Sequence, residues 1–335
     1  MGKQTRLLLI FFVAFSICAP VTGTQAAPYY EGKRLKILVG FSPGGGYDRM
    51  ARLLAKHLPK HIPGKPTVVI ENMEGASSIL AANHTYNIAK PDGLTVTSFA
   101  RGLFFAQLTK AEGVKFDVTK FSWVGSPAVE AIVLTLRTDL PYRTVDDLKK
   151  AKEPIPLAGM GAATTDTQFG ILLKEFVGLN LRMILYPSSA EGMLAIERRE
   201  VDGRSGSYSS LKPFIQRGLV RPILRGRVSE PGIEHLPVAE NLTTDQKGKT
   251  ILGMFTSVDQ MGRPFVAPPR TPSEIMAILR EAFANTTKDP EFLDEAKKVG
   301  ASVEFTPANE CMKILNDFFN QPEDIVKEFN KHIKF

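Results

Sequence analysis

Apolar positions along this chain fall into two rhythms. Leu35-Lys36-Ile37-Leu38-Val39-Gly40-Phe41 is a dense apolar run of strand length, and Met50, Leu53, Leu54 and Leu58 follow it at helical spacing. The segment from Thr67 to Ile70 predicts a second strand, followed by a helix ending near Ala89. A third strand, from Leu94 to Thr97, is set off by the turn Pro91-Asp92-Gly93. Further along, a long strand is expected from Val129 to Arg137, and short ones from Ile155 to Ala158, Arg182 to Leu185 and Arg221 to Leu224. Helices are expected from Thr165 to Phe176 and from Ser189 to Arg199. Strands alternating with helices predict mostly parallel sheets in an α/β fold.

Helix-start chemistry punctuates the same pattern. Thr144 followed by Asp147 three residues on predicts a capped helix. Thr271-Pro272-Ser273-Glu274, Asp289-Pro290 and Thr306-Pro307 each place a capping residue before a proline, so three helices are expected to close the chain. Trp123 and the scattered phenylalanines read as core.

Composition narrows the class. A chain of 335 residues with 43% hydrophobic residues and two cysteines is long enough for two domains and is neither disordered nor a disulfide scaffold. The one long apolar block, from Leu7 to Cys18, follows Lys3 and Arg6 and precedes the small-residue stretch Val21 to Ala27. That is the layout of a secretory signal peptide over residues 1–26, with cleavage after Thr24-x-Ala26. Twelve residues are short for a membrane span, which needs about 20. Removing Lys3 and Arg6 with no acid lowers the net charge of +7 by two. The remaining mild positive field suits small anions; the basic residues are too dispersed for nucleic acid. Only Cys311 would remain, inside an expected helix and without a neighbouring His, so it reads as core.

The segments that carry chemistry are strand-to-helix junctions. In Phe41-Ser42-Pro43-Gly44-Gly45-Gly46-Tyr47-Asp48 three consecutive glycines let a ligand approach the backbone at a helix start, where unpaired N–H groups and the positive end of the dipole favour an anion. No Gly-Lys-Ser/Thr follows, so this is not a nucleotide P-loop. Glu71 to Ser78, Ala158 to Thr165 and Tyr186 to Ala190 repeat the same junction. No metal or cofactor is expected. His57 and His61 are four apart, but Pro59 between them breaks the helical geometry of a metal pair. No Gly-x-Ser-x-Gly nucleophile elbow occurs.

Pro43-Gly44-Gly45-Gly46-x-Asp48-x-x-Ala51-Arg52, Val69-Ile70-Glu71-Asn72-x-x-Gly75-Ala76 and Pro91-Asp92-Gly93-x-Thr95, in that order, resemble the substrate-binding proteins of tripartite tricarboxylate transporters, the Bug-type extracytoplasmic solute receptors. The likeness continues through Thr144 to Leu148, Tyr186, Val201-Asp202 and Ala267 to Pro272.

The resemblance implies a two-domain Venus flytrap, type II periplasmic binding protein-like. Residues 27–130 and 259–335 would form a discontinuous first domain and residues 131–258 the second. It implies a periplasmic receptor, monomeric, capturing a small organic anion (a carboxylate or dicarboxylate, or an amino or aromatic acid) for cognate membrane permease subunits. The ligand would meet Pro43, Gly44, Gly45, Gly46, Tyr47, Asp48, Gly75, Ala76, Ser77 and Ser78 from the first domain. Gly161, Ala163, Thr164, Thr165, Ser188 and Ser189 would face it from the second. A sensory receptor or an exported enzyme acting on a small acid are the alternative readings.

The chain departs from the family pattern at several of these positions. Met73-Glu74-Gly75-Ala76-Ser77-Ser78 stands where Arg-Pro-Gly-Ala-Gly-Gly is usual, Ala163 takes a common Gly position, and Pro187 a common Lys. Asp166 and Thr167 replace a frequent Gly-His pair. Asp166 either compensates the helix dipole or, if it reaches the cleft, pairs with an amino group on the ligand.

Overall fold

The computed structural model of the protein describes residues 27–162 and 164–333. The expected leader at 1–26 and Ala163 lie outside the described residues. The strands in chain order are β1 (Arg34–Val39), β2 (Thr67–Asn72), β3 (Thr95–Ser98), β4 (Ser122–Ser126), β5 (Ile132–Arg137), β6 (Ile155–Gly159), β7 (Leu181–Leu185), β8 (Gly203–Ser207), β9 (Val220–Arg225), β10 (Phe265–Ala267) and β11 (Thr306–Pro307).

They form two sheets built on one plan. The first runs β11-β4-β10-β3-β1-β2 and the second β7-β6-β8-β5-β9. In each, three strands pair in parallel, β2-β1-β3 and β7-β6-β8, and an antiparallel strand is inserted next to the third. That strand, β10 or β5, is the first one made after the chain crosses from the other sheet. Helices cover the faces, as parallel strands require. This is a two-domain α/β fold.

The crossing explains where the strand reading fails. The expected long strand starts at Ile132 and not at Val129, because residues 127–131 carry the chain between sheets. There the Glu130 amide donates to the Asp259 carbonyl at 3.0 Å, tying the outgoing and returning segments together.

Local helix chemistry holds at some ends and yields at others. Thr144 and Asp147 form the reciprocal cap, with Asp147 N donating to Thr144 Oγ1 at 3.2 Å and Thr144 N to Asp147 Oδ2 at 2.9 Å. Asp289 likewise accepts from Glu291 N. Thr271 and Thr306 do not cap: their hydroxyls donate to the carbonyls of Pro268 and Gln260 instead. The closing helices number four, at Ser273–Thr286, Pro290–Lys298, Ala308–Phe319 and Glu323–His332, where three were expected. After Gly46–His57, Pro59 turns the chain into a single 3-10 turn at Leu58–His61, and His57 and His61 pair with Glu295 and Asp289 of the closing helices.

The interior is aromatic. Trp123 is buried with its Nε1–H donated to the Val118 carbonyl. Phe105, Phe169, Phe255, Phe318 and Phe329 form one cluster between the two sheets. Cys311 is fully buried within the same apolar core, and burial pushes its thiol up to about 12.

Candidate functional site

The strand-to-helix junctions of the two sheets converge on one cavity of about 410 Å³. This lies within the ~300–1,000 Å³ of small-molecule sites. Pro43, Gly44, Gly45, Gly46, Tyr47, Gly75, Ala76, Ser77 and Ser78 line it from the first sheet, and Thr164, Thr165, Ser188 and Ser189 from the second. Segments more than a hundred residues apart in sequence thus share one hollow.

Two of the expected residues that the structure describes, Gly161 and Asp48, stand elsewhere. Ala163 is outside the described residues. Gly161 does not line the cavity but packs at its edge, where an added Cβ would lie 2.6 Å from Ser77 Oγ. Asp48 is buried behind the first loop and shapes it: its carboxylate accepts from Gly44 N at 2.8 Å, Arg52 Nε at 2.8 Å and Asn72 Nδ2 at 3.0 Å. Burial raises the Asp48 carboxyl, but those three bonds outweigh it and hold the group below its usual range. Gly44 can take this bend because its φ of +85° costs a glycine little.

Two of the helix starts are left open to the cavity. No side chain caps Gly46–His57 or Thr165–Leu172. Thr164, at the cap position of the second helix, donates its hydroxyl to the Gly161 carbonyl at 2.7 Å instead. Ser188 does cap Ser189–Glu197, accepting from Glu191 N at 3.2 Å.

The second loop is strained. Ala76, Ser77 and Ser78 have φ of +46°, +51° and +83°, three successive non-glycine residues in the left-handed region. Each costs roughly 1–2 kcal/mol relative to a right-handed residue. The serines that depart from the family pattern therefore occupy conformations that glycine would adopt freely. Ser78 helps to hold the turn, with its amide donating to the Gly75 carbonyl and its hydroxyl accepting from Ala100 N.

What sequence reasoning missed is charge. Arg49, Arg101, Arg204 and Arg263 all line the cavity. Arg101 pairs with Asp259 at 2.8 Å, Arg204 with Asp166 at 3.2 Å and Arg263 with Glu130 at 2.6 Å, all six being buried. Arg49 has no ion pair among the described residues, and burial, with Arg263 nearby, lowers its pKa. The only sequence signal for these four was that each lies within a few residues of a glycine or serine turn.

Contacts cross the cleft. Arg263 Nη2 donates to Ser209 Oγ at 3.2 Å, and Ser209 in turn donates to Glu130 Oε2 at 2.6 Å. Gly46 is pinned beneath this group: a Cβ there would lie 2.5 Å from Ser210 Oγ and 2.6 Å from Arg263 Nη1. Nearby, Ser302 donates to Glu230, whose other oxygen accepts from Ala131 N at 3.0 Å.

Glu230 gives a pH prediction. Burial first, then the neighbouring Glu130, raise its pKa; Ser302, Ala131 N and Lys212 oppose them. A raised carboxyl favours the folded state when protonated. Its stabilising contribution is therefore full below the unfolded value of about 4.3 and is lost as pH rises through the folded pKa. Thermal melts of wild type and Glu230→Gln between pH 4 and 8 are expected to diverge, the variant gaining on wild type as pH rises. Parallel curves would refute this.

Two α/β sheets thus share one cleft lined by helix starts from both. The family model described as "Tripartite tricarboxylate transporter family receptor" matches residues 50–331, and the chain belongs to that family. It is 25% identical over 307 residues to a UPF0065 protein of Bordetella pertussis, covering 90% of this chain and 91% of that one. Among solved structures, the periplasmic binding protein BugD superposes with a TM-score of 0.73 at 21% identity, over 91% of this chain and 99% of that one. MatC from Rhodopseudomonas palustris with bound malate gives 0.72 at 19%, over 88% and 99%. The chain is accordingly a receptor and not an enzyme, with the fold class and family that its junction motifs imply.

Proposed function

We propose that this protein captures a small carboxylate in the cleft between its two halves and hands it to a tripartite tricarboxylate-type membrane transporter from the periplasm, after export by its leader. Residues 27–130 with 259–335, and residues 131–258, act as the two lobes. The observation that carries the reading is the convergence of glycine-rich, uncapped helix starts from both sheets on one arginine-lined cavity. The malate bound to MatC is a carboxylate of the size this cavity accepts.

Energetics indicate why both lobes are needed. A helix N-terminus contributes about 0.3–1 kcal/mol to an anion, and up to ~2 when partly buried. Micromolar affinity requires about 8 kcal/mol. Charge-assisted bonds to cleft donors must supply the remainder, and these are complete only when both lobes touch the ligand. Ligand therefore shifts the population toward the closed form, which the permease recognises.

A thermal-shift screen against small organic acids tests this. An acid at a hundred times its dissociation constant adds about 2.7 kcal/mol of stability. At least one mono- or dicarboxylate is expected to raise the melting temperature in a saturable way. A panel in which neutral sugars or cations stabilise the protein and no acid does would refute it.

A further inference from the structure

The two walls of the cleft differ in which charged groups are already engaged. On the first wall, Arg101 and Arg263 each have a carboxylate of their own, while the Arg49 guanidinium, which also lines the cavity, is held by no ion pair or hydrogen bond among the described residues. On the second wall the position is reversed. Arg204 is spent on its surroundings: Nη1 donates to Ser189 Oγ at 2.8 Å and to the Ser189 carbonyl at 3.2 Å, Nε to the Ser205 carbonyl at 3.1 Å, and Nη2 to Asp166 Oδ2 at 3.2 Å. Asp166 is 2% exposed and lines the cavity, yet its second oxygen, Oδ1, has no donor.

A buried carboxylate oxygen without a donor is costly; Glu130 Oε1 and Asp259 Oδ2 are also without one, but of the three residues Asp166 alone lines the cavity, where a ligand could supply the donor. Dipole compensation alone does not call for the second oxygen, since Oδ2 and the charge already serve that role. The first wall offers cationic donors for an acid, its own carboxylate, the exposed Glu74, being bonded to Ser42, and the second offers a lone acceptor.

We propose that the ligand is a small acid bearing a hydrogen-bond donor, an ammonium or a hydroxyl, close to its carboxylate. The carboxylate faces Arg49 and the start of the helix Gly46–His57. The donor faces Asp166 Oδ1, which makes Asp166 the residue that separates donor-bearing acids from plain ones. This rests on the carboxylate-receptor reading above and deepens it. A plain acid of equal length keeps the first wall's contacts and leaves the acceptor empty. A site built around a substrate hydroxyl or amine rejects analogues that lack it.

Two matched sets test it by calorimetric titration of the full chain: succinate, L-malate and L-aspartate, then glutarate, L-2-hydroxyglutarate and L-glutamate. Within a set the acids differ only in carrying hydrogen, hydroxyl or ammonium at one carbon. In the set that fits, a donor-bearing acid is expected to bind at least about tenfold more tightly than the plain acid. The stronger of the two substituted acids tells ammonium from hydroxyl. Asp166→Asn keeps an oxygen on Arg204 and turns its NH2 toward the ligand, so the preference should fall to near one. Arg49→Gln should weaken plain and substituted acids alike and leave the preference intact. Should Asp166→Asn fail to fold, the wild-type ratios and Arg49→Gln still decide. Plain acids binding as tightly as their substituted partners in both sets would overturn the inference while leaving the receptor reading in place. Binding of none of the six would overturn the inference, and the wider acid panel described above then decides the receptor reading on its own.

Discussion

Replacing Glu130 with Ala is expected to lower folding stability by about 3–5 kcal/mol, the cost of stranding a buried charge. Glu130 is fully buried, 2.6 Å from Arg263, and receives the Ser209 hydroxyl. It sits where the chain first leaves one sheet for the other, and its own amide is bonded to Asp259 on the returning segment. Without it Arg263, itself 4% exposed, faces Ser209 and Ser210 with no counter-charge. At roughly 2–4 °C per kcal/mol for a chain of comparable size, the melting temperature falls by roughly 6–20 °C. The double variant Glu130→Ala/Arg263→Met removes the orphan and should recover most of the loss, because a buried ion pair exchanged for apolar side chains is often neutral. A thermodynamic cycle over the four proteins measures this. Independent, additive losses would show that the pair is not coupled, and a single-variant loss below about 1 kcal/mol would show that water reaches Arg263.

The contrast between that buried network and the loops around it shows what a sequence discloses. Gly44 and Gly75, with φ of +85° and +135°, are legible because turn geometry is local: few residue types tolerate that backbone conformation, so identity reports structure. Thr144 is legible for the same reason, since a cap is a contact within three residues. Arg101, Arg204 and Arg263 are not legible, because each is defined by a partner far along the chain. Arg263 meets Glu130 and Arg101 meets Asp259, contacts that exist only once both crossings are made.

Missed elements have the same origin. β8, Gly203-Arg204-Ser205-Gly206-Ser207, contains no β-branched or large apolar residue, and tertiary pairing with β5 and β6 makes it a strand. Its small residues leave space that Arg204 occupies: a Cβ at Gly206 would lie 3.7 Å from that guanidinium. β10 spans three residues, too few for any period to register. Thr271 and Thr306 failed as caps because nearby carbonyls of Pro268 and Gln260 claimed their hydroxyls. The final helix, Glu323–His332, is dominated by charged residues and shows only Ile325 and Phe329 to the core, so its apolar stripe is one residue wide.

Phe255→Ala is expected to cost about 3–5 kcal/mol as well, and to weaken acid binding although Phe255 does not line the cavity. Phe255 is 1% exposed in the helix Gln246–Ser257. Its ring stacks on Phe105 at 4.7 Å and on Phe169 at 6.0 Å. Phe105 belongs to the helix Leu103–Leu108, just beyond Arg101, and contacts Phe318 and Phe329 of the closing helices. Phe169 belongs to Thr165–Leu172, the helix whose start lines the cleft. Phe255 thus packs against one helix of each wall. Removing it leaves a cavity that the surrounding rings fill only in part, and Thr165 and Asp166 shift with their helix. Phe255→Leu, which retains most of the volume, should lose under half as much stability and bind acids nearly as well. Chemical denaturation of both variants, with calorimetric titration of the acid that binds wild type, measures the two effects together. A Phe255→Ala protein that loses stability but binds with wild-type affinity would show that the wall spacing is fixed elsewhere, at the Glu130–Arg263 crossing.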